Sequence, residues 1–125
     1  MPKPLYRPFF AAPLLYITLL IGTPLAHASE IKVLMKDMKH SMRGAMASKT
    51  IPELSEYVTR LEKDVQQASR QNYRSDQATY NEGMQTLGRE LTAVDQEIHA
   101  NNLTAAKQAL RKINDSGKHY HHLLN

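Results

Sequence analysis

The 125-residue sequence contains no cysteine, and that absence excludes several kinds of protein at once. No disulfide can brace an exported fold, so the core or a bound group must supply the stability. No thiol is available for lipid attachment at a mature N-terminus. Aromatic residues are scarce, at 6%, and no basic stripe is interleaved with them, which excludes a nucleic-acid-binding surface. No stretch alternates apolar and polar residues with the period of two that a strand requires. The sequence offers no acid-base pair, activated nucleophile or glycine-rich phosphate loop, so it does not read as an enzyme. Beyond Gly22 no apolar run approaches the roughly 20 residues of a membrane-spanning helix.

What is present begins with a leader. Lys3 and Arg7 precede an apolar run from Phe9 to Gly22, and Thr-Pro-Leu-Ala-His-Ala follows up to Ala28. That order of basic start, apolar middle and small-x-small end is a secretory signal, with cleavage expected after Ala28. The run is too short to span a bilayer, and Pro13 interrupts it. Residues 29–125 are then expected to form one small exported domain. Removing Lys3 and Arg7 lowers the formal net charge of +4 by two. The high whole-chain pI therefore says little about partners.

Four amphipathic segments fill the mature chain. In the first, Ile31, Met35, Met38, Met42 and Ala45 recur at steps of four and three, the seam of a helix packed on other helices. It ends near Met46–Ser48. Thr50-Ile51-Pro52-Glu53 then carries a cap, a first-turn proline and the glutamate of a capping box. Leu54, Val58, Leu61, Val65 and Ala68 form the second seam. Ser75 or Asp76 caps the third helix, whose seam is Tyr80, Met84, Leu87, Leu91, Val94 and Ile98. Asn102 caps the fourth, with Leu103, Ala106, Leu110, Ile113, Gly117 and Leu124 on its seam and Tyr120 and His121 flanking it. Short turns favour antiparallel neighbours, so the expected fold is all-α, an up-down-up-down antiparallel four-helix bundle with 3-4 type packing.

In that topology the start of the first helix and the end of the fourth share one end of the bundle. Met35 and His121 are then expected at nearly equal depth, about 8–10 Å apart between axes. A thioether and an imidazole so placed can hold an iron porphyrin from both sides. Without a C-x-x-C-H motif, such a haem would be non-covalent. His40, His119 and His122 point away from the interior at about 100° per residue. Gly83 and Gly117 lie near the same end and would leave room for a flat ring. Other readings stay open on spacing alone. The methionines suit a plain core, and His121 suits a packed, hydrogen-bonded residue. The glycines suit close helix contact, and the H-Y-H-H tail suits a solvated helix end. Met35, Met38, Met42 and Met46 could instead hold Cu(I), and His119 with His122 could hold Zn²⁺ or Cu²⁺. A helical adaptor without any cofactor is a third possibility.

Read together, helices one, three and four resemble the cytochrome b562 family over the whole mature chain. The features that carry the resemblance are I-x-x-x-M-x-x-M-x-x-x-M from Ile31, Tyr120-His121 near the C-terminus, and Tyr80, Gly83, Met84, Leu87 and Leu91 in the third helix. The resemblance implies Met35 and His121 as axial ligands of one haem b per chain. It implies Leu61, Tyr80, Met84 and Ile113 as contacts to the ring. It further implies a monomeric periplasmic carrier that passes one electron between redox partners. The chain departs from the family pattern in a short turn between helices two and three. It also carries Gly117 and Asn125 where the family's best-known member places arginines, so Arg70 or Arg74 would have to meet the propionates.

Overall fold

The computed structural model describes residues 24–73 and 75–125 of the chain. Four helices account for nearly all of it: α1 (Pro24–Ala47), α2 (Ile51–Ser69), α3 (Gln77–His99) and α4 (Leu103–Leu124). They form the expected all-α, up-down-up-down bundle. The expected leader over residues 1–28 lies outside the described residues as far as position 23. From Pro24 the backbone is already helical, so α1 begins before the Ile31 at which the sequence seam starts.

Each turn is fixed by a polar side chain that takes up a free helix-end amide. Thr50 caps α2, accepting from the Glu53 amide at 3.2 Å. The carboxylate of Glu53 reaches back to the Lys49 amide at 2.9 Å, one residue earlier than a capping box prescribes. Asp76 caps α3 by accepting from the Thr79 amide at 3.0 Å, and Asn102 caps α4 through the Ala105 amide at 3.0 Å. Between α3 and α4, Asn101 takes a positive φ of 56°. That conformation lets the Asn102 amide close on the Glu97 carbonyl at 2.9 Å, an ending in which asparagine can replace glycine.

The core runs down the middle of the four helices. α2 buries all five residues of its expected seam, Leu54, Val58, Leu61, Val65 and Ala68. Tyr80, Met84, Leu91 and Val94 face them from α3, and Ala106, Leu110 and Ile113 from α4. On α1 the seam differs from expectation. Leu34 is buried and Met35 is 37% exposed, so the sequence runs Ile31, Leu34, Met38, Ser41, Ala45. The step from Ile31 is three rather than four, because α1 turns its flank carrying Asp37 and Gly44 towards α2. Gly44 permits that approach: a Cβ there would collide with the Tyr57 ring.

Packing is dense within the pairs α1–α2 and α3–α4, thinner between α2 and α3, and thinnest between α1 and α4. The bundle is two tight hairpins with a loose seam on either side. Glycines test this packing locally. Gly88 lies exposed inside α3 with open space where a Cβ would stand. Gly88→Ala is expected to stabilise the chain by about 1 kcal/mol through helix propensity. Gly44→Ala gains the same propensity but must displace Tyr57, so its net effect is expected to be destabilising. Urea denaturation of the two variants checks the contrast.

Candidate functional site at the α1–α4 seam

Contacts between helices set the depth of each candidate residue. On α1, Asp37 lies beside Asp64 of α2, near enough for each carboxyl to shift the other's titration. Val65 of α2 and Met84 of α3 line one open groove of about 420 Å³ between those helices. Gly83 of α3 lies under the Tyr120 ring of α4, whose nearest atom is 3.0 Å from where a Cβ would stand. These ties put Met35, Val65, Met84 and His121 on one level to within about a helical turn of 5.4 Å. The α2–α3 turn closes the same end, for the Tyr73 hydroxyl donates to the Leu124 carbonyl at 3.2 Å.

Direction follows from the same contacts. Asp37 and Gly44 occupy the flank of α1 that meets Arg60 and Tyr57 of α2. At about 100° per residue, Met35 and Met42 stand on the opposite flank, facing α4. On α4, Tyr120 faces α3: its hydroxyl donates to Glu82 at 2.8 Å and lies 3.3 Å from the Thr86 hydroxyl. Ser116 faces α3 as well, donating to Glu90 at 2.8 Å. His121, one position round from Tyr120, stands on the side away from α3, towards α1. The thioether and the imidazole therefore border the loosest seam of the bundle from its two walls.

Neither donor is engaged in the core. Met35 is exposed, whereas Met38 is buried and Met42 and Met46 pack against the core. The His121 ring is exposed, and the side-chain amide of Asn125 lies 2.9 Å from its Nε2 and 3.2 Å from its Nδ1. Asn125 is the residue that stands where the resemblance expects an arginine. Gly117, one turn before His121, has open space where a Cβ would be. Gly83 does not make room, because Tyr120 fills its surface. Arg70 is turned back on its own helix, its Nε donating to the Gln66 carbonyl at 3.3 Å, and Arg74 lies outside the described residues.

The four expected ring contacts are buried: Leu61, Tyr80, Met84 and Ile113 are each no more than 8% exposed. Tyr80 is the most constrained. Its hydroxyl donates to the Ala68 carbonyl at 2.6 Å, and its ring stacks on Tyr73 with centroids 5.0 Å apart. Burial, with Tyr73 beside it, pushes the Tyr80 hydroxyl up to about 12, so it remains a donor. A flat group entering the α1–α4 seam would find an apolar floor, the exposed Met35 thioether, and a His121 imidazole that Asn125 would have to release. The residues present fit a haem held by sulfur and nitrogen. Among the described residues no group of three or more His, Cys, Asp or Glu could hold a metal ion.

Two carboxyl pairs lie along the outer edges of α2. Burial first, and then Asp37, pushes Asp64 up to about 7; burial and Asp95 raise Glu62 to about 7. The Asp64 carboxyl beside it and the Arg60 guanidinium, 3.3 Å away, hold Asp37 below the usual carboxylate range. Unfolded carboxyls titrate near 4. Between about pH 4 and pH 7 the folded chain keeps protons that the unfolded chain has shed, so stability falls as pH rises through that window. Asp37 acts oppositely, but its contribution is lost only below that window. The thermal midpoint of the haem-free chain is expected to be higher at pH 5 than at pH 8. Asp64→Asn, which keeps a donor towards Asp37, is expected to raise the midpoint at pH 8 and change it little at pH 5. Equal shifts at both pH values would contradict this assignment.

Comparison with known proteins bears on the family of the chain. The family model described as cytochrome b562 matches residues 30–125. No curated protein matches the chain.

Proposed function

The chain belongs to the cytochrome b562 family, and on that premise we propose that it is a b-type cytochrome carrying one electron at a time. It binds one non-covalent haem per chain, with Met35 and His121 as the axial ligands. The observation that carries this reading is the family match over residues 30–125, joined to the position of those two side chains on facing walls of the loosest seam. When bound, the haem supplies a one-electron iron couple. Held by a thioether and an imidazole, the iron would have no position left for oxygen or a substrate, so the site would suit electron transfer rather than catalysis.

The protein's own residues set the rest. Leu61, Met84 and Ile113 give the ring an apolar lining that excludes water. Neutral sulfur ligation and burial both favour the reduced iron and raise the potential. Tyr80, fixed by Ala68 and Tyr73, keeps the α2 and α3 walls from closing on the site. Open space over Gly117 admits the ring edge beside His121. The leader expected from the sequence supports a periplasmic location, where the mature protein acts as a monomer between redox partners. Among the described residues no helix is long and apolar enough to cross a membrane.

Variants separate ligation from packing. Met35→Ala and His121→Ala are each expected to change the low-spin spectrum to high-spin, or to abolish haem retention. Met42→Leu, a core-volume change on the same flank of α1, is expected to leave the spectrum intact and stability within about 1.5 kcal/mol. Visible absorption of the reduced and oxidised variants reads this directly. Equal loss in all three would assign Met35 and His121 to packing.

A further inference from the structure

Formal charge is divided sharply between the two halves of the bundle. α1 carries Lys32, Lys36, Lys39 and Arg43 against Glu30 and Asp37. α4 carries Lys107, Arg111, Lys112 and Lys118 against Asp115. The balance reverses on the other side. α2 carries Glu53, Glu56, Glu62 and Asp64 against Arg60 and Lys63. α3 carries Glu82, Glu90, Asp95 and Glu97 against Arg89. All eight cations of α1 and α4 are exposed except the half-buried Lys107, and among the described residues no ion pair joins any of them. α1 and α4 are neighbours along the seam bordered by Met35 and His121, so the basic face and the candidate haem site coincide.

We propose that the α1–α4 face is the docking surface for a redox partner with an acidic protein surface, the acidic α2–α3 face turning away from it. The inference rests on the carrier reading and adds the chemistry of the partner. A molecule with one basic and one acidic side has a large dipole, which orients it before contact and raises productive encounters with an oppositely charged partner. An anionic membrane would need an apolar helix face free to insert. Among the described residues the exposed large apolar side chains of α1 and α4 are Val33 and Met35, on different flanks of α1, and Leu123; they form no continuous face that could insert, so an acidic protein suits the surface better than a lipid bilayer.

The test uses the full exported protein. Poly-L-glutamate titrated into the labelled protein is expected to shift backbone amide resonances on α1 and α4, and to leave α2 and α3 unmoved. Lys36→Glu, Lys39→Glu and Lys118→Glu combined are expected to abolish the shifts; Lys63→Glu with Arg89→Glu, on the far face, is expected to leave them. Oxidation of the reduced haem protein by anionic ferricyanide gives a kinetic reading of the same field. Its rate is expected to fall about tenfold as screening by salt rises, with the triple variant losing that dependence. Shifts on α2 and α3, or a ferricyanide rate indifferent to salt, would overturn the proposal. Binding to phosphatidylglycerol vesicles without any response to poly-L-glutamate would overturn it in favour of a lipid surface. A protein that never shows haem absorption would sink the carrier reading, while the glutamate titration of that same chain would still judge the surface.

Discussion

Turns of three, seven and three residues join the four helices, and connections that short oblige each helix to reverse the direction of the one before. Three reversals across an even number of helices bring the start of α1 and the end of α4 back to one end of the molecule. Everything proposed for the site depends on that closure. It brings residues 35 and 121, distant in the chain, to the same end of the bundle, level to within about a helical turn. Burial of the four apolar seams then holds the arrangement, since helices of this length owe most of their stability to packing rather than propensity.

Closure alone would give four equivalent seams, yet the bundle is uneven. α1 with α2 and α3 with α4 are pairs of opposite formal charge and pack densely, whereas α1–α4 and α2–α3 are pairs of like charge and pack thinly. Specific contacts reinforce the division. Gly44 under Tyr57 brings α1 close to α2, and Gly83 under Tyr120 does the same for α3 and α4. A bundle built from two close hairpins can admit a flat group between them without breaking either. The loose seam is therefore where the proposed haem would enter.

Much of this was legible in the sequence. The seam of α2 was read residue for residue, because its apolar positions are separated by clearly polar ones. The caps Thr50, Asp76 and Asn102 were legible too, since each supplies a short polar side chain just before an apolar repeat. On α1 the reading slipped. Val33, Leu34 and Met35 are consecutive apolar residues, so counting from Ile31 allowed Met35 where the packing selects Leu34. Periodicity cannot choose between them; the approach of Gly44 to Tyr57 does. Tertiary features were invisible for a different reason. Buried Ser41, Ser48 and Asp64 look like surface residues in a pattern, and the Tyr73–Tyr80 stack joins a turn to a helix with no repeat to announce it. Gly83 and Gly117 read alike in sequence, yet one is covered by an aromatic ring and the other faces open space.

The slip on α1 bears on the site. A methionine in the core seam would have to leave it to reach a metal, whereas Met35 stands on the flank facing α4 with its sulfur unengaged. The most direct measurement is a titration of the haem-free protein with haemin, followed by absorption before and after reduction. The account predicts sharp low-spin bands that saturate at one haem per chain and intensify on reduction. A spectrum that stays that of free haemin through an equimolar addition would contradict it, and would leave a four-helix bundle of this family without its cofactor.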